Sequence, residues 1–185
     1  MRSQKTIRMA EIALMSAVLC VISPFTIPVP ASPVPLSLAL FAVYLAAVLL
    51  GAKKGALSVL VYLLLGMVGL PVFSGFSGGI GVLLGPTGGY LMGYLPCVLI
   101  TGWIANKKKE NKKSLQTIGA MMLGTLACYF FGTVWFVAVM DGNYSIVQAL
   151  LVCVVPYLIL DTIKIAAAVA VVLPMKKMLR RIEQR

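Results

Sequence analysis

All but one of the lysines and arginines in this chain stand between long apolar runs, and the charged gaps alternate with uncharged ones. Arg2, Lys5 and Arg8 precede the first run. Lys53 and Lys54 follow the second, Lys107, Lys108, Lys109, Lys112 and Lys113 follow the fourth, and Lys176, Lys177, Arg180, Arg181 and Arg185 follow the last. The connectors in between carry no basic residue. A bilayer forces each apolar run to satisfy its own backbone, which makes it a helix, and basic residues stay on the cytoplasmic side. The pattern therefore predicts an all-α integral membrane protein of the cell membrane. It reads as a six-transmembrane-helix bundle, one domain over residues 1–185, with both termini cytoplasmic and spans near 9–25, 36–50, 56–70, 90–104, 115–140 and 146–174.

Composition excludes the obvious alternatives. Charged residues are 11% of the chain and apolar ones 61%, whereas a soluble domain carries about 25% charge. The net charge of +11 would suggest nucleic acid in a soluble protein, but here the basic clusters write topology, so the lipid bilayer is the expected partner. A basic start, an apolar run and a small residue at Ala31 also fit a secretory signal. The run is long, however, and Pro30 stands where cleavage would fall, so this segment is expected to remain as the first span. Cys20, Cys97, Cys128 and Cys153 lie singly in apolar runs without C-x-x-C spacing, and the chain has no histidine. They read as small interior residues, with no disulfide and no metal site. One deep carboxylate is too few for a metal centre and no nucleophile and base pair is evident, so no catalytic residue is expected.

The exceptional basic residue is Lys164, three positions after Asp161 in an apolar run. Positions i and i+3 share a helix face, so the two can meet one small object or each other. An ionisable group at membrane depth costs several kcal/mol and usually faces a functional interior, although a self-neutralising structural pair is the plainer alternative. With Lys176 as the inner boundary, Lys164 lies roughly 18 Å and Asp161 roughly 22 Å above it, in the outer half of a layer about 30 Å thick.

Two other unusual stretches emerge on that outer side. Residues 23–35 hold five of the ten prolines and no charge, which suits an irregular or extended connector. Ser74 to Tyr90 is rich in glycine, which is costly in a helix but permits close backbone approach. Irregular backbone at membrane depth must be buried or line a cavity, so this stretch is either a cavity wall or a device for packing helices. It is no phosphate loop, because G-x-x-x-x-G-K-[S/T] occurs nowhere in the chain. Tyr129 and Trp135 in the fifth span suit an interface or the cavity. Asp161 supplies acceptors and Lys164 donors, so a compact head bearing N–H groups and a carbonyl, such as a cyclic urea, would satisfy both. On the first span, Ala10, Ala13 and Ala17 form a small-residue stripe that another helix can approach closely.

The order of the glycine-rich stretch, Leu84-Gly85-Pro86-Thr87-Gly88-Gly89-Tyr90-Leu91-Met92-Gly93-Tyr94, and a late Pro156 followed by Asp161-Thr162-Ile163-Lys164 resembles the biotin-specific S component of energy-coupling-factor vitamin transporters. The resemblance spans nearly the whole chain. It implies a substrate-binding subunit that captures biotin from outside and passes it to a transmembrane coupling protein and two ATPases. It further implies that Asp161 and Lys164 hold the ureido head, that Gly78, Gly79, Gly81, Thr87, Gly88 and Tyr90 line the pocket, and that Ala13 and Ala17 meet the coupling protein. Biotin would be the transported ligand, with no cofactor. Another vitamin, thiamine or riboflavin, or a small secondary transporter, is the alternative.

Overall fold

The structure, a computed structural model, describes residues 4–27, 35–107, 113–141 and 144–183. Arg2, most of the proline-rich connector, Lys108, Lys109, Lys112, the turn residues Gly142 and Asn143, and Arg185 lie outside them. The elements are α1 (Gln4–Ile22), a two-residue ribbon of β1 (Thr26–Ile27) and β2 (Leu36–Ser37), α2 (Ala39–Met67), a 3₁₀ turn at Ser74–Phe76, α3 (Ile80–Leu84), α4 (Gly88–Ala105), α5 (Lys113–Val139), α6 (Ile146–Cys153) and α7 (Val155–Glu183). By length and composition α2, α4, α5 and α7 are long and apolar enough to cross a bilayer.

The two expected spans at 36–50 and 56–70 are the two arms of α2. Gly51 has φ +81°, and a Cβ on Gly55 would stand 2.9 Å from the Ala46 carbonyl. A continuous helix would separate those residues by about 13 Å. The chain therefore reverses at Gly51, beside Lys53 and Lys54, a conformation open to glycine. The second arm runs alongside α1: Lys54 pairs with Glu11, and the Ser16 hydroxyl donates to the Ser58 carbonyl.

The last expected span, 146–174, is two helices. A capping box of Ser145 and Gln148 opens α6, and Val154 (φ −123°, ψ −54°) ends it. Pro156 then falls in the first turn of α7, where its missing N–H is not needed. The expected stop at Pro174 is absent, and α7 continues to Glu183. Proline withdraws one donor but keeps a helical φ, so neighbouring hydrogen bonds carry the helix past it.

At the centre α4 packs on α5 and on α2. Small residues make the contact close: a Cβ on Gly124 would stand 2.9 Å from the Cys97 carbonyl, and one on Gly93 would stand 3.0 Å from the Cys128 carbonyl. Cys97, Cys128 and Cys153 are buried in this interior and form no disulfide among the described residues. At one end Trp135 of α5 donates to the Gly85 carbonyl ahead of α4; at the other, Gln116 donates to the Ile104 carbonyl, and Lys176 of α7 reaches Asn106. These ties align α4, α5 and α7 and bring the first turns of α7 to the end where the ribbon and the glycine-rich stretch lie.

Candidate functional site

One turn of α7 carries Asp161 and Lys164 into the bundle, 5% and 9% exposed. Lys164 Nζ donates to Asp161 Oδ1 at 2.8 Å and to the Ser37 carbonyl at 2.8 Å, and the Tyr129 hydroxyl of α5 donates to Asp161 Oδ2. Each charge thus has a fixed neutral partner as well as the other charge, which a buried ion pair needs to offset its desolvation. Capacity remains. An ammonium has three donors and a carboxylate about four lone-pair sites. Among the described residues the contacts above use two of each, so the pair can still donate to a carbonyl and accept from an N–H.

Tyr129 suits the interior of the bundle, but its pairing with Asp161 has no local signal in the sequence. Ser37 was not singled out at all. It is placed by the ribbon, where Thr26 pairs with Ser37, and by its hydroxyl, which donates to the Ser23 carbonyl at 3.1 Å and accepts from the Ala39 N–H at 2.9 Å. A main-chain acceptor on a connector carries no side-chain signature, so only the fold could reveal it.

Ser37 also lines a cavity of about 240 Å³, together with Phe73, Ser74, Thr87, Tyr90 and Tyr94. That is smaller than the roughly 300–1,000 Å³ of pockets for drug-sized ligands, which suits a small solute. Thr87 and Tyr90 stand in the wall of this cavity. The glycines do not. A Cβ on Gly78 would stand 2.3 Å from the Leu70 carbonyl, and one on Gly88 would stand 1.7 Å from the Leu83 carbonyl. Gly79 takes φ +97° at the entry to α3, and Gly81 is exposed with nothing within 4 Å of its Cβ position. Gly78, Gly79 and Gly88 thus let the chain turn tightly around α3, whereas Gly81 lies within that helix and meets no close neighbour. Phe73 is pinned by its N–H to the Ser77 carbonyl at 2.9 Å and rests on Gly66, where a Cβ would stand 2.1 Å from the ring.

On α1, Met15, Ser16 and Leu19 face inward, whereas Ala10, Ala13 and Ala17 are exposed on another face beside Met9 and Leu14. Among the described residues no group of three His, Cys, Asp or Glu side chains stands together as a metal site would require.

Comparison with known proteins gives the chain a family. The BioY family model matches residues 1–181. The chain is 40% identical over 153 residues to "Biotin transporter BioY" of Thermotoga maritima, covering 82% of this chain and 86% of that one. It is 34% identical over 164 residues to "Biotin transporter BioY2" of Lactococcus lactis, covering 89% and 87%. A solved structure, described as the S-component for biotin from an ECF-type ABC transporter, superposes with a TM-score of 0.85 at 28% identity over 96% of this chain and 94% of that one. With the family model matched almost end to end and the fold shared across nearly all of both chains, this protein belongs to the BioY family.

Proposed function

We propose that the chain is the substrate-binding subunit for biotin uptake, taking biotin from the outer side of the membrane and handing it to an ATP-driven coupling module. The observation that carries the reading is the buried pair of Asp161 and Lys164, with donor and acceptor capacity to spare, next to a cavity sized for a small solute. The ureido head of biotin offers two N–H groups and a carbonyl, the complement of that capacity. The relatives described as biotin transporters support the same ligand over thiamine or riboflavin. In the membrane the chain forms six spans, α1, the two arms of α2, α4, α5 and α7, with both termini and the basic connectors on the cytoplasmic side.

Calorimetry on the detergent-solubilised chain tests the ligand. Biotin is expected to bind, with thiamine and riboflavin at least about tenfold weaker. Asp161→Asn should weaken biotin by about 2 kcal/mol or more, because ligand N–H groups lose a charged acceptor. Tighter binding of either other vitamin, or unchanged affinity in folded Asp161→Asn, overturns the reading.

The chain has no nucleotide-binding motif, so energy for release must come from partners: a transmembrane coupling protein and two ATPases. The exposed stripe of Ala13 and Ala17 supports a close helix contact on α1. Ala13→Trp with Ala17→Trp should abolish ATP-dependent uptake in vesicles holding the coupling proteins and leave biotin binding by the isolated chain intact. Uptake that survives removes this interface.

A further inference from the structure

The end of the bundle away from Asp161 and Lys164 gathers cations that the solute site does not use. Asn106 is where the elements meet: its side-chain amide donates to the Ala47 carbonyl at 3.3 Å, and its oxygen accepts from Lys176 at 2.6 Å. A Cβ on Gly102, one turn back, would stand 2.5 Å from the Ala52 nitrogen. The turn of α2, the last turn of α4 and the later part of α7 therefore close on one point. Each brings an exposed lysine: Lys53 just past Gly51, Lys107 beside Asn106, and Lys177 beside Lys176. None of the three has an acidic partner among the described residues, where Glu11 pairs with Lys54 and Asp161 with Lys164. Like charges gathered without a counter-charge repel, and a bound anion relieves the repulsion.

Membrane topology accounts for lysines at this end. It does not account for how Trp103 is placed among them. Trp103 is 62% exposed, and Lys107 Nζ stands 3.3 Å from its ring centroid. Leu99, one turn deeper on the same face, is 45% exposed. Positions 99, 103 and 107 thus step from aliphatic to aromatic to cationic along the outer face of α4, in the order of acyl chain, glycerol and phosphate in a leaflet. The Trp135 indole N–H is held by the Gly85 carbonyl, whereas that of Trp103 has no partner among the described residues. An indole fixed under an ammonium, with a donor to spare and two further lysines at the same end, suits a phosphate that carries acyl chains.

We infer that Lys53, Lys107, Lys177 and Trp103 form a headgroup site for an anionic phospholipid, at the end of the bundle opposite the solute site. The ammonium groups and the indole N–H donate to the phosphate, while Leu99 and the indole ring pack against the chains. Each lysine held near an anionic headgroup strengthens the association roughly fivefold. A lipid bound there ties the α2 turn to α4 and α7 from outside, so it stabilises the folded bundle according to its occupancy. Lys164 lies about 18 Å from Lys176 along α7, so the solute pair is out of reach of the headgroup.

Native mass spectrometry of the detergent-solubilised chain, mixed with equal amounts of phosphatidylglycerol and phosphatidylcholine, reads the preference directly. The wild type should retain phosphatidylglycerol about tenfold over phosphatidylcholine, and Lys53→Gln with Lys107→Gln should bring the two close to equality. Lys5→Gln with Arg8→Gln removes as much charge from α1 and should keep the preference. Trp103→Leu leaves the lysines in place and should lower it about threefold. Equal losses in the two double variants would mean that net charge alone attracts the lipid, which overturns the site. A wild type without preference overturns it too, as does displacement by inorganic phosphate, which would assign the cluster to a free anion. Thermal unfolding in nanodiscs supplies a second readout. Phosphatidylglycerol should raise the unfolding temperature of the wild type above its value in phosphatidylcholine alone, and raise that of Lys53→Gln with Lys107→Gln much less. A double variant that already unfolds early in phosphatidylcholine gives these lysines a structural role and also overturns the inference.

Discussion

Among the described residues, two ion pairs of similar chemistry stand in opposite surroundings. Glu11 and Lys54 tie α1 to the second arm of α2 with side chains 36% and 35% exposed, whereas Asp161 and Lys164 lie inside the bundle at 7% and 10%. Among the described residues only the second pair also has neutral side-chain or carbonyl partners: the Tyr129 hydroxyl on one charge and the Ser37 carbonyl on the other. Water and headgroups can solvate the first pair, so it needs no such escort. The difference shows where charge is costly to keep. A buried pair is often no more stable than apolar residues of the same size, so keeping one at membrane depth requires a use for its charges.

The largest effect should come from separating the buried charges. Lys164→Met leaves Asp161 with Tyr129 alone and should cost about 3–5 kcal/mol of stability, read by thermal or denaturant unfolding in detergent. Asp161→Leu combined with Lys164→Met should recover most of that loss while biotin binding stays absent. A double variant as unstable as the single would mean that the pair is needed for the fold itself. Tyr129→Phe comes next. It deletes one hydrogen bond to a charged group and should weaken stability or binding by about 1.5–3 kcal/mol, with calorimetry deciding which.

Gly88→Val and Gly81→Val then separate packing from lining within the glycine-rich stretch. The first drives a side chain into the Leu83 carbonyl and should destabilise by about 1–3 kcal/mol. The second meets open space and should leave stability within about 0.5 kcal/mol, so any loss of biotin affinity there reports ligand contact. The smallest effect belongs to the exposed pair: Glu11→Gln should cost at most about 1 kcal/mol and less in high salt. A cost as large as that of Lys164→Met would erase the contrast between the two pairs.

Some of the site could be read from residue order and some could not. Asp161 and Lys164 were visible because charge in an apolar run is rare and their spacing places them on one face. Thr87 and Tyr90 were visible through the resemblance, and both stand in the cavity wall. The glycines misled in detail: the same property that admits a ligand also admits a carbonyl, and at Gly78 and Gly88 the carbonyl of Leu70 or Leu83 is there. The end of α7 was misread because proline is taken as a stop, whereas in a long helix it removes only one bond.

Residence in a bilayer, the long apolar helices, the isolated pair of charges and the family all follow from residue order. They rest on local quantities: hydropathy over a turn or a span, spacing along one helix, and motif identity. Tertiary structure decided the rest. The reversal at Gly51 was legible as a basic turn, but its contact between Gly55 and Ala46 was not. Lys164 meets a carbonyl 127 residues away, and Tyr129 reaches Asp161 from another helix. Those meetings depend on how closely α4, α5 and α7 pack, and packing distance is set by all the facing side chains at once, so no single stretch of the chain encodes it.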